Sequence, residues 1–573
     1  MEENKIISMS ENGKSEYCCN VIQIGKLESI EGSDFLAKTH INGESIVVRK
    51  DQVFEGEYYL YASNECALNE KFLSKNNLYE LSEASRNSNA NEVVPVIERA
   101  TKIKKSIEAV DKDNKKLSRV RRLFEAKQDT ENNYNKAVQM LKDLKLVTSY
   151  NNADEYLNYV MNLIANNNSY KDELIKERDK LIDSVKNKVG FFNKHGRVRC
   201  IKLKGTPSYG FIFSKSELSN AFPDAINLKL EDHLGEDFDT VCSELFVKAY
   251  VPPVKSVKEH VQGSGKNLSK RADRFDRMVP GEFKFHYDTQ PLGKNMWKFE
   301  PDDIVIIDNK IHGSQACFSN IKTKYPNKLN IFKKVINVIY KHFKKEEKYP
   351  TYHIDYGFVY SSRKVIKNKD INPNQSQGYY NSDIWGYWAE KIKEYVPKNW
   401  SIYGEIYGYT PDGSYIQKDY DYGCKSGESK FTPYRISIHD PETDDWTEMN
   451  KEDVYNWTVD LLNKHPELHN KLVPIDIFYH GRFRDLYPNI KVNSEWHDNV
   501  LYAMQADTEN FGMELMEPLC VNVVPREGLI IRKDNDKVPE AFKLKTDAFK
   551  AKERQQIDEG IVDSETVEGY TEE

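Results

Sequence analysis

The stretch DNKIHGSQACF, Asp308 to Phe318, follows directly on the run DDIVIID at 302–308. Four consecutive aliphatic residues, Ile304 to Ile307, read as a buried strand. The strand ends on Lys310, with His312 and Gly313 just beyond it. A charge at such a place is costly unless it is paired or meets a ligand. Lys310 is therefore a candidate functional residue. Gly313 would let a backbone approach a bound molecule closely.

Four further stretches downstream repeat the pattern. Arg363 lies in YSSRKVI, Glu405 in IYGEIYG, Glu527 in PREGLIIRK, and Lys543 with Lys545 in AFKLKTD. Each puts charge at the end or in the middle of an apolar strand. Lys543 and Lys545 are two apart, so they share one strand face. One such stretch is explained by a structural ion pair. Five in one segment point to a ligand cavity. Several cations with two carboxylates suit a polyphosphate and its divalent metal, because Lys and Arg meet phosphate oxygens and Glu takes hard cations. A lysine set among other cations can act as a nucleophile.

The rest of the chain gives the setting. Short strands separated by turn residues run from Tyr17 to about Ser63 (VIQIGKL, FLAKTHI, SIVVRK, GEYYLYAS). From Glu83 to Lys188 glycine is absent and the periodicity turns helical, as in KKLSRVRRLFEAK and DELIKERDKLIDSVKNK. Strand texture resumes with GRVRCIKLKG and YGFIFSK at 196–215. The helices are then an excursion from one loop of a small barrel, an insertion of low thermodynamic cost. After a basic linker, strands and helices alternate from Phe283 to Phe549. The GSGK of that linker lacks the first glycine, the Ser/Thr and the strand of a P-loop. The expected division is a flexible N-terminus (1–16), a barrel (17–82 and 191–252) interrupted by a helical insertion (83–190), a linker (253–282), an α+β domain (283–550) and an acidic tail (551–573).

The ordered motifs K-I-H-G-S (310–314), S-R (362–363), Y-G-E-I (403–406), Y-R-I (434–436), E-G-L-I-I-R (527–532) and F-K-L-K (542–545) resemble those of the covalent nucleotidyltransferases. That superfamily holds ATP-dependent RNA and DNA ligases and mRNA capping enzymes. The K-x-H-G form, the lead-in at 275–314 and the front barrel are similar to RNA ligases that carry an N-terminal OB-fold module. DNA ligases and capping enzymes generally place that barrel after the last lysine motif, where this chain has only about two dozen residues.

The resemblance implies a nucleotidyltransferase (ATP-grasp-like ligase) domain preceded by an OB-type barrel. It implies an RNA ligase working through lysyl-AMP, with ATP and Mg²⁺ or Mn²⁺. Lys310 would be the nucleophile, with Lys543 and Lys545 neutralising phosphate. Arg363, His312, Gly313 and Glu405 would meet the nucleotide, Tyr434 would stack on adenine, and Glu405 and Glu527 would place the metal. His312 stands where many relatives have aspartate. RNA, a nicked duplex included, would be the partner of a monomer, with Arg197, Arg199, Lys202 and Lys204 as a nucleic-acid face. A DNA ligase, a GTP-using capping-type enzyme and a non-catalytic RNA-binding protein on the same fold are the alternatives.

The totals set limits. The 573 residues suffice for several domains, and 30% charged with 39% hydrophobic residues is ordinary for a soluble protein. Eight scattered cysteines without a CxxC pair imply reduced thiols, a cytoplasmic-type compartment (a host cytoplasm if the source is viral) and no zinc site. The N-terminal stretch does not read as a signal peptide, and no run is long enough for a membrane span. The net charge of −7 averages over basic segments at 194–205, 266–277 and 332–345 and an acidic tail from Asp558.

Overall fold

The structure is a computed structural model. It describes residues 5–11, 13, 17–126, 130–146, 149–250, 277–287, 289–342, 348–368, 380, 382–507, 516–533 and 540–558. Most of the linker, the basic stretch 266–276, the GSGK segment and the tail from 559 lie outside the described residues. Among the described residues no helix is long and apolar enough to cross a membrane.

Two compact units form. The first comprises 1–25, 48–199 and 209–250. Its central sheet is antiparallel, in the order Phe211–Phe213, Tyr58–Ala62, Cys19–Gln23, Asp237–Phe238. A buried cluster including Val21, Leu60, Phe72, Phe213, Phe238 and Phe246 lies against it. The helical excursion is present as Ala90–Glu125, Thr130–Asp143 and Ala153–Val185. The two long helices are tied by polar bridges, Asn114 to Asn168 (2.8 Å) and Lys171 to Asp111 (2.5 Å). Near the short helix the core is Leu117, Val120, Ala137, Leu141, Tyr156 and Val160.

The expected barrel is divided. Its strands belong to several small sheets rather than one ladder. The strands Leu36–Ile41 and most of Glu44–Arg49, with the hairpin Ile201–Leu203/Thr206–Ser208, belong to the second unit. Side-chain packing explains this. Glu44 pairs with Lys550 at 3.1 Å, Gln505 donates to the Gly43 carbonyl, and a Cβ at Gly43 would lie 2.6 Å from Leu501.

The second unit (26–47, 200–208 and 251–573) holds two five-stranded sheets. Its strands are β1 (Ile304–Lys310), β2 (Ser314–Pro326), β3 (Tyr352–Ser361), β4 (Trp400–Gly408), β5 (Ser429–Asp440), β6 (Asp445–Glu448), β7 (Ile477–Arg482), β8 (Gly528–Lys533) and β9 (Ala541–Lys545). Its principal helices are α1 (Ile331–His342), α2 (Ile384–Ile392), α3 (Lys451–Lys464), α4 (Trp496–Ala506) and α5 (Asp547–Asp558). One sheet runs Gln290–Pro291, β9, β8, β1, β7, and the other β3, β2, β4, β5, β6. The three residues 311–313 carry the chain from β1 in the first sheet to β2 in the second.

Alternation sorts each strand into a core face and a working face. In the first sheet Val305 and Ile307 (β1), Leu529 and Ile531 (β8) and Phe542 and Leu544 (β9) join one core with Trp496, Leu501 and Phe483. In the second, Ala316 and Phe318 (β2), Ile402 and Ile406 (β4) and Phe431 (β5) join another with Trp385 and Trp388 of α2. The residues between them in sequence face the other way.

Candidate functional site

Those residues line a cavity of about 150 Å³. Asp308 and Lys310 come from β1, Gln315 from β2, Glu405 from β4, Thr432, Tyr434 and Arg435 from β5, Ile530 and Arg532 from β8, and Ala541 and Lys543 from β9. Arg363, just past β3, is on the wall as well. The strand register aligns them in rows. Lys310 stands opposite Gly528, which stands opposite Lys545. Gln315, Glu405 and Thr432 form a second row.

Gly528 separates the two lysines and cannot be anything larger. Its φ is 154°, and a Cβ there would fall 2.0 Å from the Leu544 carbonyl oxygen. Gly313 is required for a different reason from the expected one. A Cβ on it would come within 2.4 Å of the Ile406 carbonyl, so the close approach is to β4. Its own carbonyl accepts from Gln417 at 2.7 Å.

Lys310 Nζ is 2.8 Å from Glu527 Oε1, and the Glu527 side chain is only 4% exposed. Lys545 lies 4.0 Å from the same oxygen, and His312 Nδ1 is 3.6 Å from Oε2. Oε2 is buried with no hydrogen-bond partner. Glu527 thus carries one carboxylate among two ammonium groups and an imidazole.

The imidazole of His312 is edge-on to Tyr420 (4.8 Å) and Phe549 (4.9 Å), and its backbone N–H donates to the Tyr422 hydroxyl at 2.8 Å. Burial first, and Lys310 beside it second, push its pKa down to about 3. The imidazole is neutral in the folded chain, so at neutral pH it brings no charge to Glu527. The unfolded chain binds a proton below about pH 6.5 that the folded chain refuses. Stability from this group is complete above that pH and falls by about 1.4 kcal/mol per unit as the pH drops toward 3. Urea midpoints at pH 7.5 and 5.5 should therefore separate more for the wild type than for His312→Gln. Equal separations would refute this account of the imidazole.

Two wall residues, Asp308 and Lys451, escape a motif reading. Asp308 is paired with Lys451 at 2.7 Å, and both are almost fully buried. Lys451 Nζ also donates to the Tyr434 carbonyl at 3.2 Å. Burial holds the Asp308 carboxyl above its ordinary range although Lys451 opposes this. Arg435 forks onto Glu448 (2.8 and 2.5 Å), approaches His286 Nδ1 at 3.1 Å and lies between the rings of Tyr287 and Tyr403. Tyr434 meets His286 edge-on at 5.3 Å, is half-buried and lines the cavity. Asp308 was open to a period-two reading, being two residues before Lys310. Lys451 opens a helix more than a hundred residues away, and nothing local marks it.

Of the residues proposed for a nucleic-acid face, Arg197 is turned inward. Arg197 is 4% exposed, forked onto Glu65 (2.8 and 3.0 Å) and stacked over Tyr250. Its charge is spent on an internal pair. Arg199 is half-buried in the same unit, whereas Lys202 and Lys204 are exposed on the hairpin of the other. Lys204 and Gly205 both take positive φ in a two-residue turn, so alternation along one strand does not extend across these four positions. The tail also departs from expectation, since its first residues complete the helix α5.

Neither a family model nor a curated protein matches the chain. Among solved structures it is similar to RNA ligase of Naegleria gruberi. A lysine-to-alanine variant of that ligase with ATP and Mn is 12% identical, with 94% of this chain and 99% of that chain covered and a TM-score of 0.43. A glutamate-to-alanine variant with AMP and Mn is 13% identical over 94% and 99%, also at 0.43. The ligase with PPi is 12% identical over the same shares, at 0.43.

Proposed function

We propose that the chain is an ATP-dependent RNA ligase that forms a covalent lysyl-AMP on Lys310. The observation that carries this reading is the end of β1. An ammonium group there lines a cavity with Arg363, Glu405, Tyr434 and Lys543, and is held by a buried carboxylate, Glu527.

Lys310 must lose a proton before it can attack, and Glu527 Oε1 at 2.8 Å is the acceptor at hand. The Nζ–P bond to the α-phosphate then forms as the bond to pyrophosphate breaks. Lys543 and Lys545 supply positive charge where the leaving group gains negative charge. Tyr434 offers a ring face to the base, and Glu405 offers a carboxylate to the ribose or to a metal. In the second step the P–N bond breaks as AMP passes to an RNA 5′-phosphate. In the third a 3′-hydroxyl displaces AMP and closes the phosphodiester.

The side chains fit a divalent cation that keeps most of its waters and takes phosphate oxygens. Glu527 Oε2 is buried and unpartnered, Glu405 is on the wall, and among the described residues there is no cluster of three or more ligating side chains. When bound, such a cation would neutralise charge on the transferring phosphate.

The test is incubation with α-labelled ATP and Mg²⁺ or Mn²⁺, followed by denaturation. Acid-labile label on the protein is expected, and a nicked RNA duplex is then the substrate to try. Labelling by GTP instead would indicate capping chemistry. No label from either nucleotide on folded protein would sink the reading.

A further inference from the structure

Helix α5 brings a second carboxylate onto the lysines. Lys545 Nζ is 2.9 and 3.2 Å from the two oxygens of Glu553, closer than the 4.0 Å to Glu527. The helix is firmly seated. Thr546 Oγ1 accepts from the Phe549 N–H at 3.1 Å, and Phe549 is buried against His312. Lys550 pairs with Glu44 and Asp547, while Lys552 reaches Asp419 at 3.4 Å and covers the Tyr420 ring. Glu553 follows Phe549 by four residues, so both share the helix face turned to the site.

From this geometry we infer that Glu553 is a positioning residue that stands in for phosphate at Lys545 while the nucleotide site is empty. The inference rests on the proposed function. With Lys545 drawn to Glu553, the nearer oxygen of Glu527 is left to Lys310. An arriving triphosphate or pyrophosphate must take Lys545 from Glu553, and the phosphate and the carboxylate compete for the same ammonium donors. Lys545 is 25% exposed and Glu553 39%, so the pair is partly solvated and weak enough to exchange. The carboxylate therefore tunes affinity for the phosphate chain without touching the nucleoside.

The experiment is equilibrium binding of ATP, inorganic pyrophosphate and adenosine to the full chain in metal-free buffer, where no transfer proceeds. Glu553→Gln should tighten ATP and pyrophosphate about two- to fivefold, the range of a partly exposed ion pair, and leave adenosine unchanged. With metal restored, the same variant should lower KM for ATP and leave kcat of adenylylation within about twofold of wild type. Glu553→Asp, which keeps the charge, should fall between the two proteins. Thermal melts of both variants establish that α5 remains folded. Unchanged or weaker phosphate binding by folded Glu553→Gln would overturn the inference. If neither wild type nor variant binds ATP with or without metal, and neither takes label, the ligase reading itself fails and the inference falls with it.

Discussion

Lys310→Arg should retain the fold and the ion pair to Glu527 and yet accept no AMP. Adenylylation should fall by at least about a thousandfold, as when a nucleophile is removed. Arginine is the stringent substitution because it preserves the positive charge beside a buried carboxylate. The guanidinium stays protonated at any working pH and offers no lone pair to phosphorus. Lys310→Ala should lose the label as well, but among the described residues it also leaves Glu527 with only Lys545, at 4.0 Å, as a cationic partner. The two variants thus separate chemistry from electrostatics. If Lys310→Arg still takes label from α-labelled ATP, the nucleophile lies elsewhere and the proposed role of β1 is wrong. Nucleotide affinity in metal-free buffer should change less for arginine than for alanine, because the cavity keeps its charge.

The parts of the site that could be read from the sequence are those encoded locally. An apolar strand of period two fixes which neighbours of Lys310 share its face, and the same rule pairs Lys543 with Lys545. Lys310, Arg363, Glu405 and Lys543 follow from such patterns, Tyr434 follows only from the resemblance, and the five line one cavity. What the sequence did not disclose depends on long-range pairing. Lys451 meets Asp308 only because α3 is packed against β5, and Arg435 finds Glu448 across the β5–β6 hairpin. Glu553 reads as part of an acidic tail because its helix has a weak apolar pattern and is anchored largely by ion pairs. Arg197 erred in the opposite direction. A basic, strand-like segment looks the same whether its charge faces solvent or a buried glutamate, and only Glu65, more than a hundred residues away, decides. The barrel segments depend on long-range contacts in the same way. Residues 36–41 and 44–47 adjoin the barrel strands in sequence, yet they lie in the second unit, where Gly43 meets Leu501 and Gln505 and Glu44 pairs with Lys550.

The largest stability effect should come from the Asp308–Lys451 pair. Lys451→Met removes one charge and leaves the other buried, a change that costs about 3–5 kcal/mol in comparable settings. The Asp308 carboxyl is already held high by burial, and loss of its ammonium partner raises it further. In the variant the folded state therefore holds a proton that the unfolded state gives up above about pH 4. The cost of Lys451→Met should accordingly be smaller near pH 5 than at pH 8, because protonation relieves the stranded carboxylate. Asp308→Asn combined with Lys451→Met should recover much of the loss, since it removes both charges of the buried pair. Urea unfolding of the two single variants and the double variant at both pH values tests this directly. Additive losses, or a Lys451→Met cost independent of pH, would mean that the pair is not the element that stabilises the cavity floor. Because Lys451 also holds the Tyr434 carbonyl, Lys451→Met should bind ATP more weakly as well. The same side chain would then serve both the stability of the wall and the placement of the ring proposed to meet the base.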